Sequence, residues 1–159
     1  MTNWRDTVKV KTEPKPFVTL ISNDDPLAGK LTAYFEREGC VVNDYRNPLD
    51  AMGEIRTHSR RQTPFPACVV ASYPLSPHHT EDIFRDLKLR GIPLICIYTG
   101  SEPQLKKDAS PTLMLDRETM ISTINPTQQH TPQAQLLHDY VEEYKETWRQ
   151  TTSPKLLKL

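Results

Sequence analysis

The sequence predicts a doubly wound α/β domain, a five-stranded parallel sheet with helices on both faces, followed by an amphipathic C-terminal helix. Three observations predict it. Short, continuous apolar runs recur along the chain, as strands buried on both faces require. Segments with apolar residues at helical spacing alternate with those runs. Polar residues then follow the runs: Asn23, Asp24 and Asp25, then Ser72, then Thr99 fall at the carboxyl ends of successive strands, where sheets of this class place functional groups.

Residues 1–16 mix charge and proline without a sustained period and read as a flexible arm, with room for a short strand at residues 8–10. Residues 17–22 are the first apolar run. Pro26 suits the first turn of a helix, where its missing N–H costs nothing. Leu27, Leu31, Tyr34 and Phe35 recur on one helical face, and Gly39 supplies the stop. Cys40, Val41 and Val42 begin a second strand. Pro48 opens a second helix with Leu49, Met52 and Ile55 on one face, and HSRRQTPFP (58–66) reads as a basic, proline-punctuated loop.

Residues 67–71 are a third, wholly apolar strand. Thr80 is placed to cap a helix with Glu81 and Asp82 in its first turn; Ile83, Phe84 and Leu87 form its buried face and Gly91, Ile92 and Pro93 end it. Residues 94–98 are a fourth strand, 101–110 leave space for a short helix, 113–115 are a fifth strand and 117–124 another short helix. A last segment, 132–150, has Thr131 as cap and Pro132 in its first turn. Leu136, Leu137, Tyr140, Val141, Tyr144 and Trp148 follow the amphipathic pattern there, the strongest helix signal in the chain. The expected organisation is an arm (1–16), a domain (17–125), and a linker, helix and frayed tail (126–159).

Twenty basic and twenty acidic residues cancel, which disfavours broad nucleic-acid or anionic-membrane surfaces. No apolar run approaches a membrane span. The N-terminal stretch has no apolar core of a secretory signal. The three cysteines form no C-x-x-C pair, and Cys68 and Cys96 lie in apolar runs. A reduced, cytoplasmic protein is expected.

The stretch VTLISNDDPLAGKLTAYFEREGCVV (18–42), with PFPACVVASYPLS (64–76) and GIPLICIYTG (91–100), resembles the receiver domains of response regulators in the order and spacing of its parts. The resemblance covers residues 17–125 and implies a flavodoxin-like fold and a role in two-component signalling. Receivers transfer a phosphoryl group onto an aspartate. Two acids after the first strand hold Mg²⁺, the acceptor aspartate ends the third strand, a Thr or Ser ends the fourth and a Lys ends the fifth. The metal needs hard oxygen ligands, and the acceptor must be a carboxylate.

Carried onto this chain, the acidic pair falls on Asn23 and Asp24, with Asp25 following. The acceptor falls on Ser72, or on Ala71 if the register slips by one. The hydroxyl position is Thr99, and the lysine position falls on Leu115 or Asp116. The acceptor and the lysine are therefore both missing, and Asp116 facing Asp24 would worsen the anion balance. The resemblance implies a degenerate pseudo-receiver, neither an enzyme nor dependent on a cofactor. Its expected partner is another protein; a homodimer through a Tyr140, Tyr144 and Trp148 stripe is a further option, with burial of that stripe at home as the competing reading.

No tight metal site is expected, weak Mg²⁺ at Asp24 and Asp25 being the residual alternative to a solvated strand–helix junction. The adjacent His78 and His79, and also His130 and His138, read as surface residues. Arg56, Arg60 and Arg61 suit either an acidic partner or a solvated face. No phosphate-binding glycine loop or nucleophile elbow is present. Two competing functions remain open: a receiver phosphorylated at an unexpected acceptor, and a small-ligand binder using the strand-end crevice. A DNA-binding regulator would need an output domain that this sequence does not display.

Overall fold

The computed structural model describes residues 14–75, 80–128 and 130–152. Five strands, β1 (Phe17–Ile21), β2 (Val41–Tyr45), β3 (Cys68–Tyr73), β4 (Leu94–Tyr98) and β5 (Leu113–Asp116), form one parallel sheet in the order β2-β1-β3-β4-β5. Helices α1 (Asp25–Arg37), α2 (Pro48–Arg61), α3 (Thr80–Leu89), α4 (Arg117–Ile124) and α5 (Pro132–Thr152) cover it. The predicted doubly wound class is the observed one. The expected strand at residues 8–10, His78, His79 and the end of the tail lie outside the described residues.

Alternation along the strands sorts side chains onto two faces. Val18 and Leu20 of β1, Cys68 and Val70 of β3, and Ile95 and Ile97 of β4 join α1, α4 and α5 in one apolar cluster. Val69, Ala71, Leu94 and Cys96 join α2 and α3 in the other. The N-caps are local: Asp24 accepts from the Leu27 amide, Asn47 from Leu49, Asp116 from Thr119, and Thr131 from Ala134. Gly39, at φ +84°, lets α1 close with the Cys40 amide donating to the Phe35 carbonyl at 2.9 Å.

Several expectations need correction. Residues 101–110 hold no α-helix, only a single 3₁₀ turn at Lys107–Ala109, because Leu105 is the segment's one large apolar residue and no apolar face can form. Arg60 and Arg61 belong to α2 rather than to a loop; α2 runs on until Gln62 adopts φ +56°. Thr80 starts α3, but its hydroxyl accepts from the Leu75 amide at 3.0 Å and so anchors the preceding loop. Leu49, expected inside, is 49% exposed, and Ala51 takes the buried position beside Met52 and Ile55. Leu136 is likewise 54% exposed, whereas Leu137 is buried.

The aromatic stripe of α5 faces home. Tyr144 and Trp148 are buried against the β1–β3–β4 face of the sheet, and only Tyr140 stays half-buried. The Trp148 indole N–H donates to the Phe65 carbonyl at 2.8 Å, and the ring meets Phe17 edge-on at 6.2 Å. An open partner or dimer surface made of Tyr140, Tyr144 and Trp148 is therefore not what the helix presents. Its distal half instead crosses the amino ends of β1, β3 and β4, walling a cleft of about 320 Å³ with Phe65, Pro66, Ile92 and Pro93.

Candidate functional site

At the opposite, carboxyl end of the sheet, β1 runs directly into Ser22, Asn23 and Asp24. The buried Ser22 hydroxyl accepts from the Asp24 amide at 3.0 Å and from the Ser72 hydroxyl at 2.7 Å. This ties the β1 end to the β3 end through two small hydroxyls, of which Ser72 stands at the position where the resemblance puts an acceptor carboxylate. Asn23 is exposed and lines, with Ser22, Arg46, Pro48, Ser72, Pro74 and Leu75, a crevice of only about 10 Å³. That is room for a single water. The Tyr73–Pro74 peptide beside it is cis.

Asp24 is the hub. Its carboxylate caps α1 and also takes Arg117, with Nε 2.5 Å from Oδ2 and Nη2 3.3 Å from Oδ1. Both side chains are 26% exposed, so the pair is partly shielded from water. The Arg117 guanidinium holds the Asp24 carboxyl below its usual range; partial burial opposes that pull, and the Leu27 amide reinforces it. Arg117 opens α4 immediately after β5 and also touches Glu118.

Asp25 turns outward and ion-pairs with the exposed Arg46. Asp116 does not confront Asp24. It caps α4 through the Thr119 amide at 2.6 Å, and that amide together with the Thr119 hydroxyl keeps its carboxyl below the usual range. The anion clash expected between Asp116 and Asp24 is absent because the next residue, Arg117, faces Asp24 instead.

The structure thus brings Asn23, Asp24 and Ser72 together with three residues that sequence reasoning missed, Ser22, Arg46 and Arg117. Thr99 lies exposed just beyond β4, and Leu115 packs its side chain into the α1-side cluster. Signals for two of the missed residues were present. Ser22 is a hydroxyl at the end of an apolar run, and Arg117 is a cation one residue past the site where a receiver carries its lysine. Both carboxylates named for weak Mg²⁺ stand against arginines: Asp24 is engaged by Arg117, and Asp25 by Arg46.

No protein-family profile matches the sequence, and no curated protein matches it. Solved structures do. A putative response regulator from Chloroflexus aurantiacus superposes with a TM-score of 0.60 at 11% identity, covering 81% of this chain and 99% of that one. The Francisella response regulator 1452 receiver domain gives 0.58 at 15% identity, covering 83% and 98%. The signal receiver domain of a DNA-binding response regulator from Colwellia psychrerythraea gives 0.57 at 17% identity, covering 82% and 98%. At these identities the likeness is one of fold, and the fold of this chain is that of the receiver domains.

Proposed function

We propose that this chain is a phosphorylation-independent, receiver-like signalling module that acts by binding another protein. The observation that carries the proposal is the Arg117 guanidinium on Asp24. In a receiver, the cations beside the acid pair are a bound metal and a lysine, and they are free to meet an incoming phosphoryl group. Here the cation is a side chain of the same domain, held by two charge-assisted hydrogen bonds. Ser72 stands at the acceptor position, and its hydroxyl is spent on Ser22 rather than on a base. A hydroxyl without a base or a lowered pKa is a weak nucleophile.

Nothing at this site calls for a catalytic role or a cofactor, so the module is read as a non-enzymatic one. A reduced cytoplasmic setting belongs to the same reading, supported by three free, buried cysteines. Among the described residues no helix is long and apolar enough to cross a membrane. The reading assigns the partner to the β4–β5 side, where Thr99, Gly100, Ser101 and Glu102 are exposed and a helical cover over residues 101–110 is lacking. A small-ligand binder working from the strand ends is disfavoured by the crevice volume of about 10 Å³.

The test is treatment with acetyl phosphate, and separately with beryllofluoride, in the presence of Mg²⁺. Amide NMR spectra should stay unchanged, and intact mass should show no hydroxylamine-labile adduct. A persistent shift centred on Asp24 and β3, or an acyl-phosphate adduct, would overturn the reading and restore the phosphorylatable alternative.

A further inference from the structure

Away from the strand ends, three ligand-type side chains converge where α1 meets α5. Glu38 follows the last residue of α1, and His138 and Glu142 are one turn apart on α5, so they share a face. We propose that Glu38, His138 and Glu142 form a binding site for a divalent transition-metal ion of the zinc class.

The geometry fits. One ligand atom from each residue lies within 4.8 Å of the others. Two ligands bound 2.0–2.1 Å from a zinc ion at angles of 90–109° stand about 2.9–3.4 Å apart. His138 Nδ1 is 3.1 Å from Glu38 Oε1 and 3.1 Å from Oε2, within that span and favouring neither oxygen. An imidazole and two carboxylates are a donor set suited to zinc, leaving a fourth position for water.

A cation of the chain itself already stands beside these carboxylates, and a bound metal would share them with it. Lys145, only 6% exposed, donates to Glu142 Oε1 and to the Glu38 carbonyl, each at 2.6 Å. Lys145 engages Oε1 of Glu142, and a carboxylate has a second oxygen with which to meet a metal. Arg149, one turn beyond Lys145, lies 4.0 Å from Glu146 on the same helix. His138, expected on the surface, is 43% exposed there and forms the α5 half of this junction. A bound ion would rivet the end of α1 to the last helix across 100 residues of chain.

The test uses the full chain after chelator treatment, with zinc followed by titration calorimetry and cobalt by its visible absorption. One ion should bind per chain, and the melting temperature should rise with the logarithm of free zinc. His138→Ala and Glu142→Gln should each weaken binding at least about tenfold, as disturbed metal shells do. The double variant His78→Ala/His79→Ala should bind like the parent. If either site variant fails to fold, His138→Gln and Glu38→Gln are read in its place. No binding up to about 100 μM zinc, weaker than roughly 5 kcal/mol of affinity, would overturn the proposal and leave a plain Glu38–His138 ion pair. Binding that survives the site variants would overturn it equally.

Discussion

Replacing Trp148 tests whether α5 is part of the domain or an appendage. The side chain is 8% exposed, donates its indole proton to the Phe65 carbonyl and meets Phe17 edge-on. Trp148→Phe keeps a ring and loses the hydrogen bond, a net cost of about 1 kcal/mol. Trp148→Ala removes the packing, the ring contact and the bond together, which for a buried tryptophan amounts to 3–5 kcal/mol. The low end, about 3 kcal/mol, applies because the ring walls an open cleft that water can enter once it is gone. Urea and thermal melts followed by far-ultraviolet circular dichroism measure both. At roughly 3–4 °C per kcal/mol for a domain of this size, melting should fall about 3–4 °C for Phe and about 10 °C for Ala. A loss below about 1 kcal/mol for Trp148→Ala would refute the reasoning, since the distal half of α5 would then lie outside the cooperative core. The aromatic stripe would in that case be open to a partner after all.

Leu136 and Leu137 make a paired test of the same helix: Leu136→Gln should change stability by less than about 0.5 kcal/mol, and Leu137→Ala should cost about 2–5 kcal/mol. Equal losses in urea melts would mean that the face of α5 is wrongly phased. Asp24 has its carboxyl lowered in the folded state, so its stabilisation is complete above its ordinary value of 3.8 and disappears as pH falls through the lowered folded value. The melting-temperature gap between the parent and Asp24→Asn should therefore hold steady from about pH 8 to pH 5 and close below about pH 4. A gap that widens in acid would contradict the Arg117 pairing. Burial pushes the Cys40 thiol up to about 11 and Cys96 up to about 12, and raises Cys68 still further. A disulfide reagent at about pH 8 should titrate no thiol in the native protein and all three in urea, and fast native labelling would count against the packing of β3 and β4.

Most strands were legible because they are dense apolar runs bounded by turn residues, β2 (VVNDY) showing only its two valines, and α5 because its stripe persists over several turns. Phase was harder to read. Leu136 and Leu137 are adjacent and point about 100° apart on a helix, so both match a loose apolar pattern while only one can face the sheet. Leu49 misled for a related reason: it sits one residue off the buried line of Pro48, Ala51, Met52 and Ile55, and the smaller Ala51 fills the buried place. The helix proposed for 101–110 rested on the space between two strands, and SEPQLKKDAS has no apolar face to drive it. At the candidate site, the substitutions at Ser72 and Leu115 could be read off the chain. Arg117 reaching Asp24 from 93 residues away could not, because local pattern carries no information about where a long side chain ends.

The Arg117–Asp24 pair also bears on what it would take to install phosphoryl chemistry at this site. Ser72→Asp alone would set a second carboxylate near Asp24 while the guanidinium kept the place of a metal, in a crevice with space for one water. Removing Arg117 alone would leave Asp24 without its counter-charge and still provide no acceptor. Building a phosphoryl-transfer pocket here would need both changes together with a lysine at the end of β5. A single arginine thus keeps any one substitution from assembling such a pocket in this fold.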